Sequence, residues 1–184
     1  LIYPRQKNSK LDVANYYKSV APWLLEHLQN RPLTLIRCPE GASQQCFFQK
    51  HVNDNSKMTS IHEDLVRDQK VIFIDSDEGL LQLIQWGVLE LHTWQCHNTN
   101  LENPDQIVFD LDPDETVPWK QVIASANELK ELLEKLDLTA FVKTTGGKGL
   151  HLHVPILPLY TWDQVKSFSK SVTLQMQSEN PGLY

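Results

Sequence analysis

The sequence predicts an α/β fold in which mixed or antiparallel sheets are flanked by helices. The runs RPLTLIR and QCFFQKHV are separated by a Pro-Glu-Gly turn and indicate an antiparallel hairpin. Two more runs, AFVKTT and LHLHVPI, flank the glycine-rich segment GGKG and are predicted to be strands. Between these strands, apolar residues recur at helical spacing, which predicts helices that cover the sheets.

Capping residues mark where the helices begin. Helix starts are predicted at Ser9 with Asp12, at Ser76, at Pro118, and at Thr161 with Gln164. The first helix is predicted from about residue 10 to about residue 29, and Pro22 is expected to kink or divide it. The helix that begins at Ser76 is predicted to end near Gly87, and the last helix near residue 177.

The remaining strands are predicted from short apolar or alternating runs. VIFID is predicted to be a buried strand, and VLELHTW and QIVFDLD alternate as strands do. The polar residues from about 53 to about 70 are predicted to form a loop.

Composition limits the class of protein. With 184 residues, of which 41% are hydrophobic, the chain can bury a core of one domain or two packed lobes. No apolar run approaches the roughly 18 residues of a membrane helix, and the first ten residues lack the order of a signal peptide, so we expect a cytoplasmic protein without a membrane partner. The net charge of −6 argues against non-specific adhesion to nucleic acid, although metal-binding carboxylates also add negative charge.

The cysteines predict reduced thiols. Cys38, Cys46 and Cys96 are odd in number and match no zinc spacing, which argues against a disulfide framework or a structural metal site. Cys96 lies beside His97 and near His92, so a zinc site there is an alternative.

An acidic pair follows an apolar run in QIVFDLDPD. Alternate side chains of a strand share a face, so Asp110 and Asp112 are expected to project together, with Cα atoms about 7 Å apart. Two carboxylates so placed can converge on one or two divalent ions. Asp114 and Glu115 are expected to face solvent. The alternative is an edge strand that runs into an acidic turn.

The glycine-rich segment predicts a phosphate site. Three glycines permit backbone N–H groups to point into one concavity, and Thr145 and Lys148 supply a hydroxyl and a cation. A strand follows instead of a helix, so the segment is not a P-loop. His151 and His153 share a face of that strand, and at least one of them is a candidate for the same cleft. The alternative is a glycine-rich hairpin with an exposed lysine.

Taken together, these motifs resemble the polymerase domain of bacterial ligase D, a member of the archaeo-eukaryotic primase superfamily. The segments that carry the resemblance are RPLTLIRCPEG, CFFQKH, IDSDEGLLQLIQWGVLELHTW, IVFDLDPD and KTTGGKGLHLHVP. They occur in the family's order and spacing and cover nearly the whole chain, residues 1–184. The resemblance implies a two-lobed primase-polymerase-like fold with the active site in the cleft between the lobes.

The resemblance also implies a function. A template-directed nucleotidyltransferase would extend DNA ends with nucleoside triphosphates, preferably ribonucleotides, in non-homologous end joining, with Mn²⁺ or Mg²⁺ as cofactor. Its partners would be DNA ends, with Ku and with ligase and nuclease domains as further candidates.

Residue roles follow from the same resemblance. Asp110 and Asp112 would be the catalytic metal ligands. The nucleotide-binding residues would be Thr145, Gly146, Gly147, Lys148, His151, His92, Lys50 and Arg37. The DNA-binding residues would be Phe47, Phe48 and Lys10, with Lys10 near the 5′-phosphate of a break. Because neighbours alternate in a strand, one of the two phenylalanines is expected to face the core.

The chain departs from the family pattern in three places. Thr145 replaces a serine and keeps the hydroxyl, and Thr93 to Cys96 replace a Pro-Trp-Gly-Ser run. The family carries a third metal-binding aspartate on a strand beyond the position of Tyr184. We therefore expect weak or no polymerase activity from these 184 residues alone.

Two other functions remain open from the sequence. The chain could be a catalytically incomplete module that binds DNA ends or nucleotides. It could also be a phosphatase of the haloacid dehalogenase type, with Asp110 as nucleophile and Asp112 as general acid, since that class opens with a strand ending in D-x-D. Such a phosphatase carries the motif on the first strand of a doubly wound sheet.

Overall fold

A computed structural model describes residues 1–52, 59–66 and 69–181 of the chain. The chain divides into two compact units, Leu1–Thr99 (unit 1) and Asn100–Tyr184 (unit 2). The mixed α/β class predicted from the sequence is confirmed in both units.

Unit 1 alternates helices with strands. In chain order its described elements are α1 (Lys10–Leu28), β1 (Leu33–Arg37), β2 (Phe47–Gln49), β3 (His62–Val66), β4 (Gln69–Phe73), α2 (Asp77–Gln85) and β5 (Val88–Thr93). The described strands form one sheet in which β1 pairs antiparallel with β2, β4 and β5, and β3 pairs antiparallel with β4.

The helices of unit 1 begin where the sequence predicts. Ser9 and Asp12 form a reciprocal capping box at α1, and the Ser76 hydroxyl accepts a hydrogen bond from the Gly79 N–H at α2. Both helices pack on the sheet, and the core between them is aliphatic: Ala21, Leu28, Leu33, Leu35, Ile61, Ile72, Ile74, Leu80, Leu83 and Val88.

The structure changes two predictions for unit 1. Part of the predicted loop between residues 53 and 70 is β3, an edge strand that pairs with β4 over its whole length, while 53–58 and 67–68 lie outside the described residues. Polar residues suit an exposed edge strand, so they gave no apolar pattern that would indicate a strand. Of the two effects expected of Pro22, a kink or a division, the division does not occur: α1 continues to Leu28, because tertiary packing of the helix offsets the backbone hydrogen bond that a proline removes.

The thiol prediction is also wrong. Cys38 and Cys46 form a disulfide, with their Cα atoms 4.4 Å apart. The hairpin register explains the pairing, because Arg37 lies opposite Phe47 and the two cysteines occupy the next position on each chain. An odd number of cysteines in a sequence gives no sign of this register.

Unit 2 is a small antiparallel sheet with helices on one face. Its described elements are β6 (Gln106–Leu111), α3 (Trp119–Glu134), β7 (Phe141–Thr144), β8 (Leu150–Pro155) and α4 (Trp162–Glu179). The strand order is β6-β8-β7. Pro118 is the N-cap of α3, and Thr161 forms the predicted capping box with Gln164 at α4.

The core of unit 2 lies between the sheet and these helices. It is formed by Ile107, Phe109, Leu129, Leu132, Leu133, Leu152, Val154, Val172 and Met176. Because Phe109 and Leu152 face this core, the alternate residues Asp110 and His151 lie on the opposite, open face of the sheet.

None of the helices in the described residues is long and apolar enough to cross a membrane.

Candidate active site

The pairing of β6 with β8 brings the acidic and the glycine-rich motifs together. Asp110 lies directly opposite His151, and Leu111 lies opposite Leu150. Asp112 follows the last residue of β6, and Gly149 precedes the first residue of β8. The two segments are about 40 residues apart in the sequence, with α3 and β7 between them. Strand pairing nevertheless brings them together at one end of the sheet.

Asp110 and His151 are in contact on the open face. Asp110 Oδ1 is 3.4 Å from His151 Nε2, and the Asp110 side chain keeps 63% of its surface exposed. The rings of His151 and His153 lie side by side with centroids 5.9 Å apart, as expected for residues that share a strand face. His151 therefore borders Asp110, whereas His153 lies opposite Val108, further from Asp112.

The Thr145 hydroxyl shapes the glycine-rich turn. It donates a hydrogen bond to the Gly149 carbonyl oxygen at 3.1 Å and accepts one from the Gly147 N–H at 3.4 Å. This hydroxyl therefore closes the turn from within, in the way that serine and threonine side chains close short loops. The sequence predicted a hydroxyl for phosphate but gave no sign of this internal role.

Two glycines of the turn are required by its geometry. Gly146 has a φ of +82°, a backbone conformation that side chains rarely adopt. A Cβ at Gly149 would lie 2.8 Å from the carbonyl oxygen of Leu111, so only glycine allows β8 to approach β6 this closely. A Cβ at Gly147 would have more room, since the nearest atom, Thr145 Oγ1, would lie 3.8 Å away.

Lys148 lies near the acidic turn that follows β6. The pKa of Asp114 is lowered by hydrogen bonds from the Thr116 backbone N–H and hydroxyl, and the charge of Lys148 lowers it further. Asp114 and Glu115 are exposed, as predicted. The exposed cation and the exposed Asp112 therefore belong to the same end of unit 2.

The donor set at this end of unit 2 fits a hydrated Mg²⁺ or Mn²⁺. Asp110 and Asp112 provide hard carboxylate oxygens that are exposed, which leaves room for water and for phosphate oxygens around an ion. Mg²⁺ is commonly held by one or two carboxylates together with substrate phosphates. Across residues 1–52, 59–66 and 69–181, no group of three or more histidine, cysteine or acidic side chains is arranged to hold a metal, which also leaves the zinc alternative at Cys96 without support.

A second group of predicted residues lies on one face of the sheet in unit 1. Thr34 pairs with His92, and Ile36 pairs with both Phe48 and Glu90, so these residues share a face. The Phe48 and His92 rings meet edge to face, with centroids 6.4 Å apart. His92 Nε2 lies 3.0 Å from Glu90 Oε2.

Arg37 and Phe47 lie on the other face, away from Phe48. The Arg37 guanidinium carbon is 5.5 Å from the centre of the Phe47 ring and 4.0 Å from that of Trp86. Burial lowers the pKa of this guanidinium from its ordinary value, although arginine remains charged in proteins. The expectation that one phenylalanine faces the core is wrong: both are exposed, because the apolar core does not extend to this end of the edge strand β2.

The two predicted lysines of unit 1 lie apart from each other in the chain. Lys10 is the first residue of α1, and its Nζ donates a hydrogen bond to the Gln85 carbonyl oxygen at 3.1 Å. Lys50 follows β2 directly and is exposed. Trp86 and Gln49, which contact Arg37, were not predicted, since nothing in the sequence indicates that the end of α2 meets the hairpin.

Comparison with known proteins assigns the family. The family model described as the LigD primase-polymerase domain matches residues 9–184. The chain belongs to this family. The multifunctional non-homologous end joining protein LigD of Pseudomonas aeruginosa is 39% identical over 176 residues, which cover 94% of this chain and 21% of that protein. The bifunctional protein LigD of Bacillus subtilis is 30% identical over 191 residues, covering 100% of this chain and 30% of that protein.

A solved LigD structure has the same fold. The polymerase domain of Mycobacterium tuberculosis ligase D, solved in complex with DNA, matches with a TM-score of 0.86 and 30% identity. The match covers 98% of this chain and 67% of that domain. The chain thus spans about a fifth to a third of the curated relatives named above and two thirds of the solved domain.

Membership of the LigD primase-polymerase family decides against the phosphatase alternative. In unit 2, Asp110 lies on β6 of an antiparallel sheet, whereas a haloacid dehalogenase phosphatase requires the first strand of a parallel, doubly wound sheet. The predicted resemblance to the ligase D polymerase domain is confirmed.

Proposed function

We propose that this LigD primase-polymerase domain binds nucleoside triphosphates and DNA ends and transfers nucleotides to a primer 3′-hydroxyl. The observation that carries the proposal is the register of β6 and β8, which places Asp110 against His151 and beside the glycine-rich turn. Carboxylates for metal ions next to a cationic turn for phosphates are the parts that phosphoryl transfer needs.

Asp110 and Asp112 are the residues that would hold Mn²⁺ or Mg²⁺. Such ions would neutralise the charge of the triphosphate and favour ionisation of the primer 3′-hydroxyl. The contact of His151 with Asp110 limits the rotation of that carboxylate and so keeps its oxygens directed along the open face of the sheet.

Four of the residues assigned to the nucleotide lie in the glycine-rich turn of unit 2. Lys148 neutralises phosphate charge, and Gly146 and Gly147 keep the backbone free of side chains where a phosphate would approach. Thr145 holds the turn in shape through its two internal hydrogen bonds. In unit 1 we assign His92 and Lys50 to the nucleotide as well, His92 as a hydrogen-bond donor and Lys50 as a charge.

Three residues of unit 1, the exposed Phe47 and Phe48 and the half-buried Lys10, are assigned to DNA. Phe47 and Phe48 offer aromatic faces on which unpaired bases can stack, and such stacking tolerates any sequence. Lys10 is assigned to a 5′-phosphate at a break. We further propose non-homologous end joining as the process, ribonucleotides as the preferred substrate, the bacterial cytoplasm and nucleoid as the place, and Ku with ligase and nuclease domains as partners.

A catalytically incomplete binding module is the second candidate. It is favoured by the arrangement in the described residues, where no group of three or more histidine, cysteine or acidic side chains could hold a metal ion. Two carboxylates are sufficient for a metal-bound nucleotide to bind, whereas transfer between two ions asks for more ligands.

One experiment separates the two candidates. The chain is incubated with Mn²⁺, ribonucleotides and a duplex that has a 3′ overhang, and both primer extension and the binding of a fluorescent nucleotide are measured. Extension supports the polymerase. Metal-dependent nucleotide binding without extension supports the binding module, and the absence of both results contradicts both candidates.

A further inference from the structure

The guanidinium of Arg37 contacts two aromatic rings. Its carbon lies 4.0 Å from the centre of the Trp86 ring and 5.5 Å from that of the Phe47 ring. An arginine placed against aromatic faces is held by cation–π attraction, which strengthens as the group is desolvated. The three residues form one contacting group, which we call the Trp86–Arg37–Phe47 cluster.

The edges of the guanidinium are also held. Arg37 Nε donates to the Trp86 carbonyl oxygen at 3.0 Å, and Nη1 donates to Gln49 Oε1 at 3.1 Å. Trp86 is the C-cap residue of α2, so the cation lies at the negative end of that helix. Faces and edges together fix the plane of the group.

One of the two phosphate-binding edges of Arg37 is occupied. Arginine binds phosphate most strongly with two parallel N–H groups, either Nε with Nη2 or Nη1 with Nη2. Nε already donates to the Trp86 carbonyl oxygen, so a contact through Nε and Nη2 would require that bond to break. Nη1 carries two N–H groups, so its bond to Gln49 leaves one N–H beside Nη2.

Phe47 is the exposed member of the cluster. It pairs with Arg37 at the last position of the β1–β2 register, directly before the Cys38–Cys46 disulfide, and keeps 42% of its surface exposed. A contact with a cation that is itself held by hydrogen bonds restricts the ring before a ligand arrives, which reduces the entropic cost of stacking on it.

We propose that Trp86 and Arg37 are positioning residues that hold Phe47 as a platform for an unpaired nucleic-acid base, with Arg37 acting through its contact with Phe47. The inference rests on the proposed function, since it needs a DNA end as ligand. It names two residues as supports for the base contact of Phe47: Arg37, which contacts the Phe47 ring, and Trp86, which contacts the guanidinium of Arg37.

The first test follows a base directly. A duplex with 2-aminopurine in its 3′ overhang reports stacking by loss of fluorescence. Trp86→Leu and Phe47→Leu should each weaken binding about ten-fold and remove most of the quenching, while Trp86→Phe, which keeps an aromatic face, should stay within about three-fold of wild type. Wild-type affinity and quenching in Trp86→Leu would overturn the inference.

The second test asks whether Arg37 contacts phosphate. Arg37→Gln should weaken DNA binding about as much as Trp86→Leu, and the double variant should be no weaker than either, because both act through one platform. The slope of log affinity against log salt should stay unchanged. A slope smaller by about 0.7 to 0.9 in Arg37→Gln would reveal a phosphate contact and overturn the inference.

Controls separate positioning from folding and from the proposed function. Binding of a fluorescent nucleotide with Mn²⁺ should stay within about two-fold of wild type in Trp86→Leu, and a loss there would mean that the fold of unit 1 has changed and would count against positioning. Trp23→Leu is the matched control, since Trp23 is an exposed tryptophan on α1. If the wild type binds no DNA, the proposed function and this inference both fail; if it binds and Trp86→Leu equals it, only the inference fails.

Discussion

Asp110 and His151 face each other across β6 and β8, with Oδ1 and Nε2 3.4 Å apart. One residue comes from the acidic motif and the other from the segment that follows the glycine-rich turn. The contact joins the two motifs that the sequence singled out, and it lies on the open face of the sheet where a substrate can reach it. The predictions for unit 2 depend on this pair.

Replacing Asp110 should abolish metal-dependent nucleotide binding. Asp110→Asn keeps the size and shape of the side chain but removes the charge that attracts a divalent ion. The expected result is a loss of at least ten-fold in affinity for a fluorescent nucleotide in Mn²⁺, with little residual dependence on the metal. Titration by fluorescence anisotropy, with and without Mn²⁺, measures it.

Asp137→Asn is the control for this change. Asp137 is exposed, has a φ of +58° that asparagine also accepts, and follows α3 on the same unit. It should bind nucleotide as the wild type does. Equal metal-dependent affinity in Asp110→Asn and wild type would contradict the assignment of Asp110 to the metal.

Replacing Gly149 should damage both the sheet and the site. A Cβ at this position would lie 2.8 Å from the Leu111 carbonyl oxygen, and backbone cannot move aside cheaply. We expect Gly149→Ala to lower the free energy of unfolding by about 1 to 3 kcal/mol and to weaken nucleotide binding. Thermal denaturation and the anisotropy titration check the two effects.

Gly147→Ala provides the comparison within the same turn. Its Cβ would meet nothing closer than 3.8 Å, so the free energy of unfolding should change by less than about 0.5 kcal/mol. Equal stability of Gly149→Ala and Gly147→Ala would show that β6 and β8 are not as close as described.

The sequence was sufficient for the elements of unit 2 and for the position of its two motifs in the sheet. Alternation in QIVFDLD and LHLHVP predicts the strands, and the capping pair Thr161 with Gln164 predicts the start of α4. The open face carrying Asp110 and His151 follows from those alternations once the two strands pair. The roles of these residues in binding and catalysis stay predictions.

What the sequence could not supply are relationships that only register creates. Cys38 and Cys46 become partners because the hairpin places them opposite each other, and Trp86 meets Arg37 because α2 ends beside β1. The position of Phe47 on an exposed rim likewise depends on where the core stops. None of these facts has a local signal in the chain.

Reduction of the disulfide should destabilise unit 1. The bond closes a loop with a sequence separation of 8, for which the restriction of the unfolded chain contributes about 2.5 kcal/mol. Thermal denaturation with and without a dithiol reductant should show a lower melting temperature in the reduced protein. Cys46→Ser should melt like the reduced protein and should not respond to the reductant; an unchanged melting temperature on reduction would contradict the prediction.

The capping box of α1 should make stability depend on pH. Hydrogen bonds from the Ser9 hydroxyl and backbone N–H lower the pKa of Asp12 below its ordinary value of 3.8. Because the folded pKa is the lower one, the contribution to stability is present above pH 3.8 and is lost as the pH falls through the folded pKa. Asp12→Asn should therefore melt below the wild type at neutral pH, and the gap should close in acid. The box of α4 is the internal reference, because Gln164 occupies the equivalent position without a charge. A gap between Asp12→Asn and wild type that stays constant into acid would show that the charge of Asp12 does not stabilise the helix.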